Sequence, residues 1–190
     1  MHIGLLGGSF NPIHNGHIAI ARNILERKLV DKIWFIVSPQ NPLKKDYDLL
    51  NEEIRLKLVQ LAVEQEPLMN AIDIEFSLPR PSFSWNTLQF LSSHFPKNSF
   101  SLLIGADNWN VFHLWNHADS IVNNYNLLIY PRKGYEINIE NLPRSVHYIN
   151  CPIFPISSTE IRQKIKKGED VSQWLSPKVY SFIKRMNLYK

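Results

Sequence analysis

The sequence lacks the features that mark several large protein classes. Cys151 is its only cysteine, which excludes an internal disulfide and any zinc site built from several cysteines. The longest uninterrupted apolar run, residues 33–37, is far shorter than the roughly 20 residues that span a bilayer. The chain does not open with a basic leader and an apolar stretch, as a signal peptide does. These absences predict a cytoplasmic protein with no membrane partner.

The net charge is low. The 190 residues include 21 basic and 17 acidic side chains, a formal charge of +4, and the hydrophobic content of 44% is that of a globular protein. A chain of this length can bury one core, so residues 1–190 are predicted to form a single domain. Nucleic-acid binding would suit a basic, aromatic-rich chain, but no long basic run is present. The cluster Lys164, Lys166 and Lys167 is typical of a solvated helix face, and we predict no nucleic-acid partner.

Short apolar runs alternate with stretches of helical periodicity. The predicted strands are residues 3–6, 33–37, 72–76, 102–104 and 127–130. Helical stripes begin near Ile20 and Ile54, with Asn51 as a predicted N-cap, and a last helix opens at Ser176 and Pro177 and continues its core face to Met186. Alternating strands and helices predict an α/β fold with a parallel sheet.

Glycine is scarce, and its distribution is uneven. Of seven glycines, four lie within the first sixteen residues, where residues 7–17 follow the first predicted strand and open the first helix. Glycine lets the backbone approach an anion closely, and the free N–H groups at a helix start attract phosphate. We therefore predict phosphate contacts at Gly7, Gly8, Ser9, Phe10 and Gly16.

Two histidines lie three residues apart at this helix start. When protonated, His14 and His17 offer up to four ring N–H donors that can converge on one phosphate. Two alternatives stay open: the histidines cap or pack at the helix start, or they bind a metal, although no carboxylate lies nearby in sequence. The segment lacks both G-x-G-x-x-G and G-x-x-x-x-G-K-[ST], which disfavours a dehydrogenase or a P-loop ATPase.

A second candidate phosphate site lies near the C-terminus. Ser157 and Glu160 have the spacing of a capping box at the start of a helix. Ser157, Ser158, Thr159 and Arg162 would then offer hydroxyls, amides and a guanidinium to a triphosphate. The alternative is a well-capped surface helix with a solvated Arg162.

Both segments resemble signatures of a known superfamily. The His-x-Gly-His pattern of residues 14–17 is similar to that of the nucleotidyltransferases, whose histidines bind ATP phosphates, and residues 156–162 are similar to their second signature. Further segments resemble the bacterial nicotinate mononucleotide adenylyltransferases: residues 54–56, 82–88, 103–107 with Phe112 and Trp115, and 131–135. The resemblance covers nearly the whole chain. It implies a Rossmann-like, doubly wound parallel sheet with flanking helices and a small C-terminal helical segment.

The resemblance also implies roles for individual residues. Catalytic roles fall to His14, His17, Lys45 and Arg162. Contacts with ATP, besides those of the glycine segment, fall to Gly105, Asp107, Arg132, Ser157, Ser158 and Thr159. Contacts with the pyridine substrate fall to Thr87, Trp115 and Asn116, and the indole of Trp115 suits stacking on a pyridine ring. The chain departs from the family pattern where residues 41–45 lack a histidine and where Asn86 replaces an aspartate.

The implied reaction is the attack of the 5′-phosphate of nicotinate mononucleotide on the α-phosphorus of ATP, which forms nicotinate adenine dinucleotide and pyrophosphate in NAD biosynthesis. No protein nucleophile is needed, because a phosphate oxygen is already ionised at neutral pH. Mg²⁺ is the expected cofactor, held mainly by the ATP phosphates, and no protein metal site is predicted. Adenylylation of nicotinamide mononucleotide or phosphopantetheine and a non-catalytic nucleotide-binding role are the alternatives. The sequence carries no signal for an oligomeric state.

Overall fold

A six-stranded parallel sheet with helices on both faces organises the computed structural model, which describes residues 1–40 and 49–190. The strand order is β3-β2-β1-β4-β5-β6, and every neighbouring pair is parallel. The strands are β1 His2–Gly8, β2 Lys32–Val37, β3 Met69–Ile72, β4 Ser99–Gly105, β5 Asn126–Tyr130 and β6 Val146–Tyr148. The α-helices of the described residues are α1 Asn15–Glu26, α2 Glu52–Val63, α3 Ser84–His94, α4 Ala106–Asn110, α5 Ala118–Asn124, α6 Ser158–Lys166 and α7 Pro177–Arg185.

The sheet is buried on both faces because most buried positions of its central strands are apolar. In β1, Leu6 belongs to the core on the side of α1, α2, α6 and α7, whereas Leu5 belongs to the core on the side of α3 and α5. Successive strand side chains point to opposite faces, so one apolar run supplies both cores. The predicted doubly wound α/β fold is confirmed.

The predicted helix caps are present. The Asn51 side chain accepts a hydrogen bond from the Glu53 amide at 2.7 Å, and Ser176 Oγ accepts one from the Val179 amide at 3.4 Å. The prediction that Met186 extends the core face of the last helix is wrong, because Met186 is the C-cap of α7 and is half exposed. The helix ends at Arg185, before that position can turn toward the core.

One predicted strand is also wrong, and one strand of the sheet was missed. The run at residues 72–76 is not one strand, since β3 ends at Ile72 and residues 74–76 form a 3₁₀ turn closed by the Phe76 amide on the Asp73 carbonyl at 2.8 Å. Apolar and polar residues alternate in this run, and this pattern is typical of a strand. The short edge strand β6 was not predicted, because three residues with one buried side chain carry too little periodicity.

The strand order reverses between β1 and β4. In a parallel α/β sheet, a ligand crevice forms outside the carboxyl ends of the strands at such a switch point. The glycine segment after β1 and the loop after β4 both lie there. Separately, none of the helices in residues 1–40 and 49–190 is long and apolar enough to cross a membrane.

Candidate active site

The two histidines of the glycine segment are fixed by reciprocal hydrogen bonds at the start of α1. His14 is the N-cap, its Nδ1 accepts from the Gly16 amide at 3.2 Å, and its own amide donates to His17 Nδ1 at 3.2 Å. The ring centroids are 3.8 Å apart. Because each Nδ1 is an acceptor, each neutral ring carries its proton on Nε2. The predicted supply of four ring donors is therefore reduced to two, both at Nε2.

His14 is buried, and burial together with the nearby Arg132 lowers its pKa to about 4, with Glu160 opposing the shift. At neutral pH this imidazole is uncharged. The capping role that the sequence left open is real, but it leaves the Nε2 proton of His14 available to a ligand.

Phe10 lies in the glycine segment, where its phosphate contact stays a prediction, and its side chain packs in the core. Its backbone adopts φ 45°, and its ring, 4% exposed, lies 5.2 Å from the His17 ring and 5.6 Å from the Phe35 ring, edge to face. The side chain therefore supports His17 from the core. A Cβ at Gly16 would lie 3.0 Å from the His14 ring, so any larger residue there would push on that ring. Gly7 is exposed and has open space at the Cβ position, as a backbone approached by a ligand requires.

The start of α6 lies against the glycine segment. Ser157 and Glu160 form the predicted capping box, with the Ser157 amide donating to Glu160 Oε2 at 2.8 Å. Arg162 Nη1 donates to the Asn11 carbonyl at 2.9 Å, and Ser158 Oγ donates to the Pro12 carbonyl at 2.8 Å. The fold thus joins the two candidate phosphate segments into one surface.

The ends of β4 and β5 contribute a third group of predicted residues. Arg132 Nε lies 3.6 Å from Asp107 Oδ1, and the guanidinium is 5.1 Å from the Tyr130 ring centroid. A Cβ at Gly105 would lie 2.2 Å from Asp107 Oδ1 and 3.0 Å from Arg132 Nε, so a larger residue there would displace the Asp107 side chain. Arg132 also acts on the pKa of His14, which connects this group to the histidine pair electrostatically.

A cavity of about 280 Å³ opens at the switch point, beside the glycine segment. Its walls include Gly8, Ser38, Glu75, Ser84, Trp115 and Asn116. Trp115 is half buried and packs on Phe112 with centroids 5.2 Å apart, and its indole Nε1 is buried without a hydrogen-bond partner among the described residues. The predicted pair Trp115 and Asn116 therefore lies in a ligand-sized space.

Thr87 does not line this cavity. Its side chain is buried, its hydroxyl donates to Glu75 Oε1 at 2.7 Å, and its amide is bonded to the Phe83 carbonyl at 3.3 Å. Within the described residues, the amides of Ser84 and Trp85 in the first turn of α3 make no hydrogen bond, and Ser84 lines the cavity. Lys45 lies outside the described residues.

Arg55 is a structural residue of the site whose role the sequence reasoning missed. It is 1% exposed and donates to the carbonyls of Ser9 at 2.7 Å, Ser38 at 2.7 Å, Leu50 at 2.8 Å and Pro39 at 3.2 Å. The guanidinium thereby ties the glycine segment to the loop after β2. An arginine on the buried face of an amphipathic helix is the sequence signal that could have revealed it.

Tyr189 was also missed. Its buried hydroxyl donates to Asn11 Oδ1 at 2.9 Å, so the C-terminal residues reach the glycine segment. No periodic pattern in the sequence connects these two positions, which are 178 residues apart.

Comparison with known proteins matches this arrangement to one family. A family model described as cytidylyltransferase-like matches residues 5–164. The probable nicotinate-nucleotide adenylyltransferase of Bacteroides fragilis is 46% identical over 95% of this chain and 90% of its own. That of Flavobacterium psychrophilum is 43% identical over the whole of both chains. The chain belongs to the nicotinate-nucleotide adenylyltransferase family.

The resemblance expected from the His-x-Gly-His segment is thus confirmed. Among solved structures, the family fold is matched by the nicotinic acid mononucleotide adenylyltransferase of Plasmodium falciparum complexed with NaAD. Its TM-score is 0.84 over 99% of this chain and 97% of that chain, at 21% sequence identity. This likeness supports the fold, whereas the family assignment depends on the closer relatives.

Proposed function

We propose that the chain transfers the adenylyl group of ATP to the 5′-phosphate of nicotinate mononucleotide, forming nicotinate adenine dinucleotide and pyrophosphate. The relatives that share 46% and 43% identity carry the name of this activity. The observation that carries the proposal is the junction of the glycine segment, the histidine pair and the start of α6 beside a cavity that contains Trp115. The junction of donors suits a triphosphate, and the cavity suits a flat ring.

The triphosphate binds across the start of two helices. The amides that follow β1, the Nε2 protons of His14 and His17, and the Arg162 guanidinium are donors on this surface, and helix dipoles add positive potential. Ser157, Ser158 and Thr159 bring hydroxyls, and Arg132 brings a second guanidinium. Gly105 and Asp107 lie next to Arg132 on this surface.

Catalysis consists of alignment and charge stabilisation. The mononucleotide phosphate is ionised at neutral pH, so no general base is needed, and the enzyme must hold two polyanions in line. His17 is in the first turn of α1, is supported by Phe10 and receives the His14 amide on Nδ1, which aims its Nε2 proton. We assign His17 to the charge that develops at the α-phosphate in the transition state. Lys45 is proposed to contribute a further positive charge.

The cavity takes the pyridine end of the acceptor. The ring stacks on Trp115, and the carboxylate lies near the unpaired amides at the start of α3, where the helix dipole favours an anion. Thr87 contributes indirectly, through its hydrogen bond to Glu75 in the cavity wall, and Asn116 contributes as a lining residue. A phosphopantetheine acceptor has no ring for this indole, which favours the pyridine nucleotide.

Mg²⁺ is the proposed cofactor, with the ATP phosphates as its main ligands. Among residues 1–40 and 49–190, no cluster of three or more His, Cys, Asp or Glu side chains is arranged to hold a metal ion. Mg²⁺ prefers phosphate and water oxygens and would neutralise charge on the leaving pyrophosphate.

Product analysis tests the proposal. The chain is incubated with ATP, Mg²⁺ and nicotinate mononucleotide, and the products are separated by chromatography and identified by mass. The expected products are nicotinate adenine dinucleotide and pyrophosphate in equal amounts, with formation greatly reduced by His17→Ala. ATP binding without any dinucleotide would instead support the non-catalytic role.

A further inference from the structure

A buried carboxyl group lines the proposed pyridine cavity. Glu75 is 6% exposed, and its Oε1 accepts a hydrogen bond from Thr87 Oγ1 at 2.7 Å. Its other oxygen, Oε2, is buried and makes no hydrogen bond of good geometry to any described residue, although the hydroxyls of Ser38 and Ser82 lie close to the carboxyl group. The residue shares the cavity with Trp115 and with Ser84 at the start of α3. A half-satisfied carboxyl in a ligand-sized space needs an explanation.

The surroundings of Glu75 favour its neutral form. Burial raises the pKa of this carboxyl, and the hydroxyls of Thr87, Ser38 and Ser82 only partly oppose the shift. No cationic side chain in the described part of the chain forms an ion pair with Glu75. The other titratable residue among the described residues of the cavity wall is Tyr130, whose pKa is raised by burial, so it brings no charge to the cavity at neutral pH.

A substrate carboxylate in this cavity would also favour the neutral, protonated form of Glu75. Two adjoining carboxyl groups without a cation between them cannot both be ionised, and such a pair shares one proton. With Oε1 engaged by Thr87, the shared proton belongs between Oε2 and the substrate. A hydrogen bond with one charged partner is roughly twice as strong as one between neutral groups, so a carboxylate gains more than a carboxamide.

We propose that Glu75 determines the preference for nicotinate over nicotinamide mononucleotide, by donating a hydrogen bond from a protonated Oε2 to the carboxylate of the pyridine ring. The proposal rests on the assignment of this cavity to the pyridine ring. Glu75 is then a specificity residue, and Thr87 is the positioning residue that orients it.

Three variants separate this role from a structural one. Glu75→Gln keeps an acceptor for Thr87 and presents an N–H donor in place of the protonated oxygen. Glu75→Met has similar length and no donor, and Thr87→Val removes the support of Glu75 while leaving the carboxyl in place. kcat/KM is measured for both mononucleotides, and KM for ATP is measured in parallel.

Glu75→Gln is expected to retain the preference for nicotinate mononucleotide within about threefold, and Glu75→Met to reduce it at least tenfold with the KM for ATP unchanged. Thr87→Val is expected to change the preference less than Glu75→Met. A tenfold loss of preference in Glu75→Gln would overturn the proposal, because the donor is still present. Equal losses for both mononucleotides in Glu75→Met would assign Glu75 a structural role instead.

Direct binding distinguishes failure of this inference from failure of the proposed function. Quenching of tryptophan fluorescence by each mononucleotide is measured on the same proteins without ATP. Tighter binding of nicotinate than of nicotinamide mononucleotide by the wild type and Glu75→Gln, but not by Glu75→Met, supports the inference even if neither is turned over. Equal affinities in the wild type overturn it even if both are adenylylated.

Discussion

Arg162 Nη1 donates a hydrogen bond to the backbone carbonyl of Asn11 at 2.9 Å, across 151 residues of sequence. Ser158 makes a parallel contact with Pro12 at 2.8 Å. These contacts fix the start of α6 on the glycine segment, so the donors of both segments face the same space. The proposed ATP site depends on this junction.

Replacing Arg162 by lysine is expected to lower kcat/KM for ATP roughly 10- to 100-fold. A lysine lacks the planar fork of donors with which Arg162 can bond the Asn11 carbonyl and a phosphate at once, and a hydrogen bond to a charged group contributes roughly 1.5–3 kcal/mol. Steady-state kinetics with varied ATP measure the effect. Arg144→Lys, at an exposed position before β6, is the matched control. Equal effects of the two variants would remove Arg162 from the ATP site.

His17→Ala is expected to lower kcat about 100-fold, because one preorganised donor to a developing charge contributes roughly 3 kcal/mol. The KM for ATP should change much less. His147→Ala, on the exposed edge strand β6, serves as the control. Turnover within about tenfold of the wild type would disprove the role assigned to His17.

Trp115→Ala is expected to raise the KM for the mononucleotide at least tenfold and to leave the KM for ATP nearly unchanged. Stacking of a base on an aromatic side chain is worth about 1–3 kcal/mol. Trp174→Ala removes another half-buried indole, which packs on the opposite core, and should affect neither KM. Similar increases in both KM values for Trp115→Ala would contradict the stacking assignment.

The buried His14 gives folding stability a specific pH dependence. Its pKa falls from 6.5 in the unfolded chain to about 4 in the fold, so the unfolded state binds the proton more readily. The contribution is complete above pH 6.5 and is lost as pH falls toward 4, by roughly 3 kcal/mol for a shift of this size. Denaturant unfolding of the wild type and His14→Asn between these pH values measures it. If the free energy of unfolding changed with pH by the same amount in both proteins, the result would contradict a buried, neutral His14.

Arg55→Met is expected to lower the free energy of unfolding by at least about 3 kcal/mol, because it leaves several buried carbonyls without a donor. Arg22→Met is the control, since Arg22 forms an exposed ion pair with Glu66 that is worth at most about 1 kcal/mol. Urea unfolding measures both. A change below about 1 kcal/mol for Arg55→Met would mean that the loops do not depend on this guanidinium.

Local sequence signals predicted much of the fold and part of the site. The concentration of glycines, the spacing of His14 and His17, and the capping box at Ser157 are all short-range patterns, and the structure contains each of them. Helix periodicity likewise located the helices near Ile20 and Ile54.

The sequence could not predict contacts that depend on the packing of distant elements. The helix pattern can indicate that Arg55 is buried, but it does not identify the four carbonyls that converge on it, and Glu75 lies in a run whose alternation is typical of a strand. Thr87 was expected at the substrate, yet its hydroxyl is used by Glu75. The position of Lys45 stays a prediction.

The most direct test of the central claim is the rate of pyrophosphate release with ATP, Mg²⁺ and each of three acceptors. The account predicts release with nicotinate mononucleotide at least tenfold faster than with nicotinamide mononucleotide or phosphopantetheine. The fastest pyrophosphate release with phosphopantetheine, or no release with any of the three acceptors, would contradict this account.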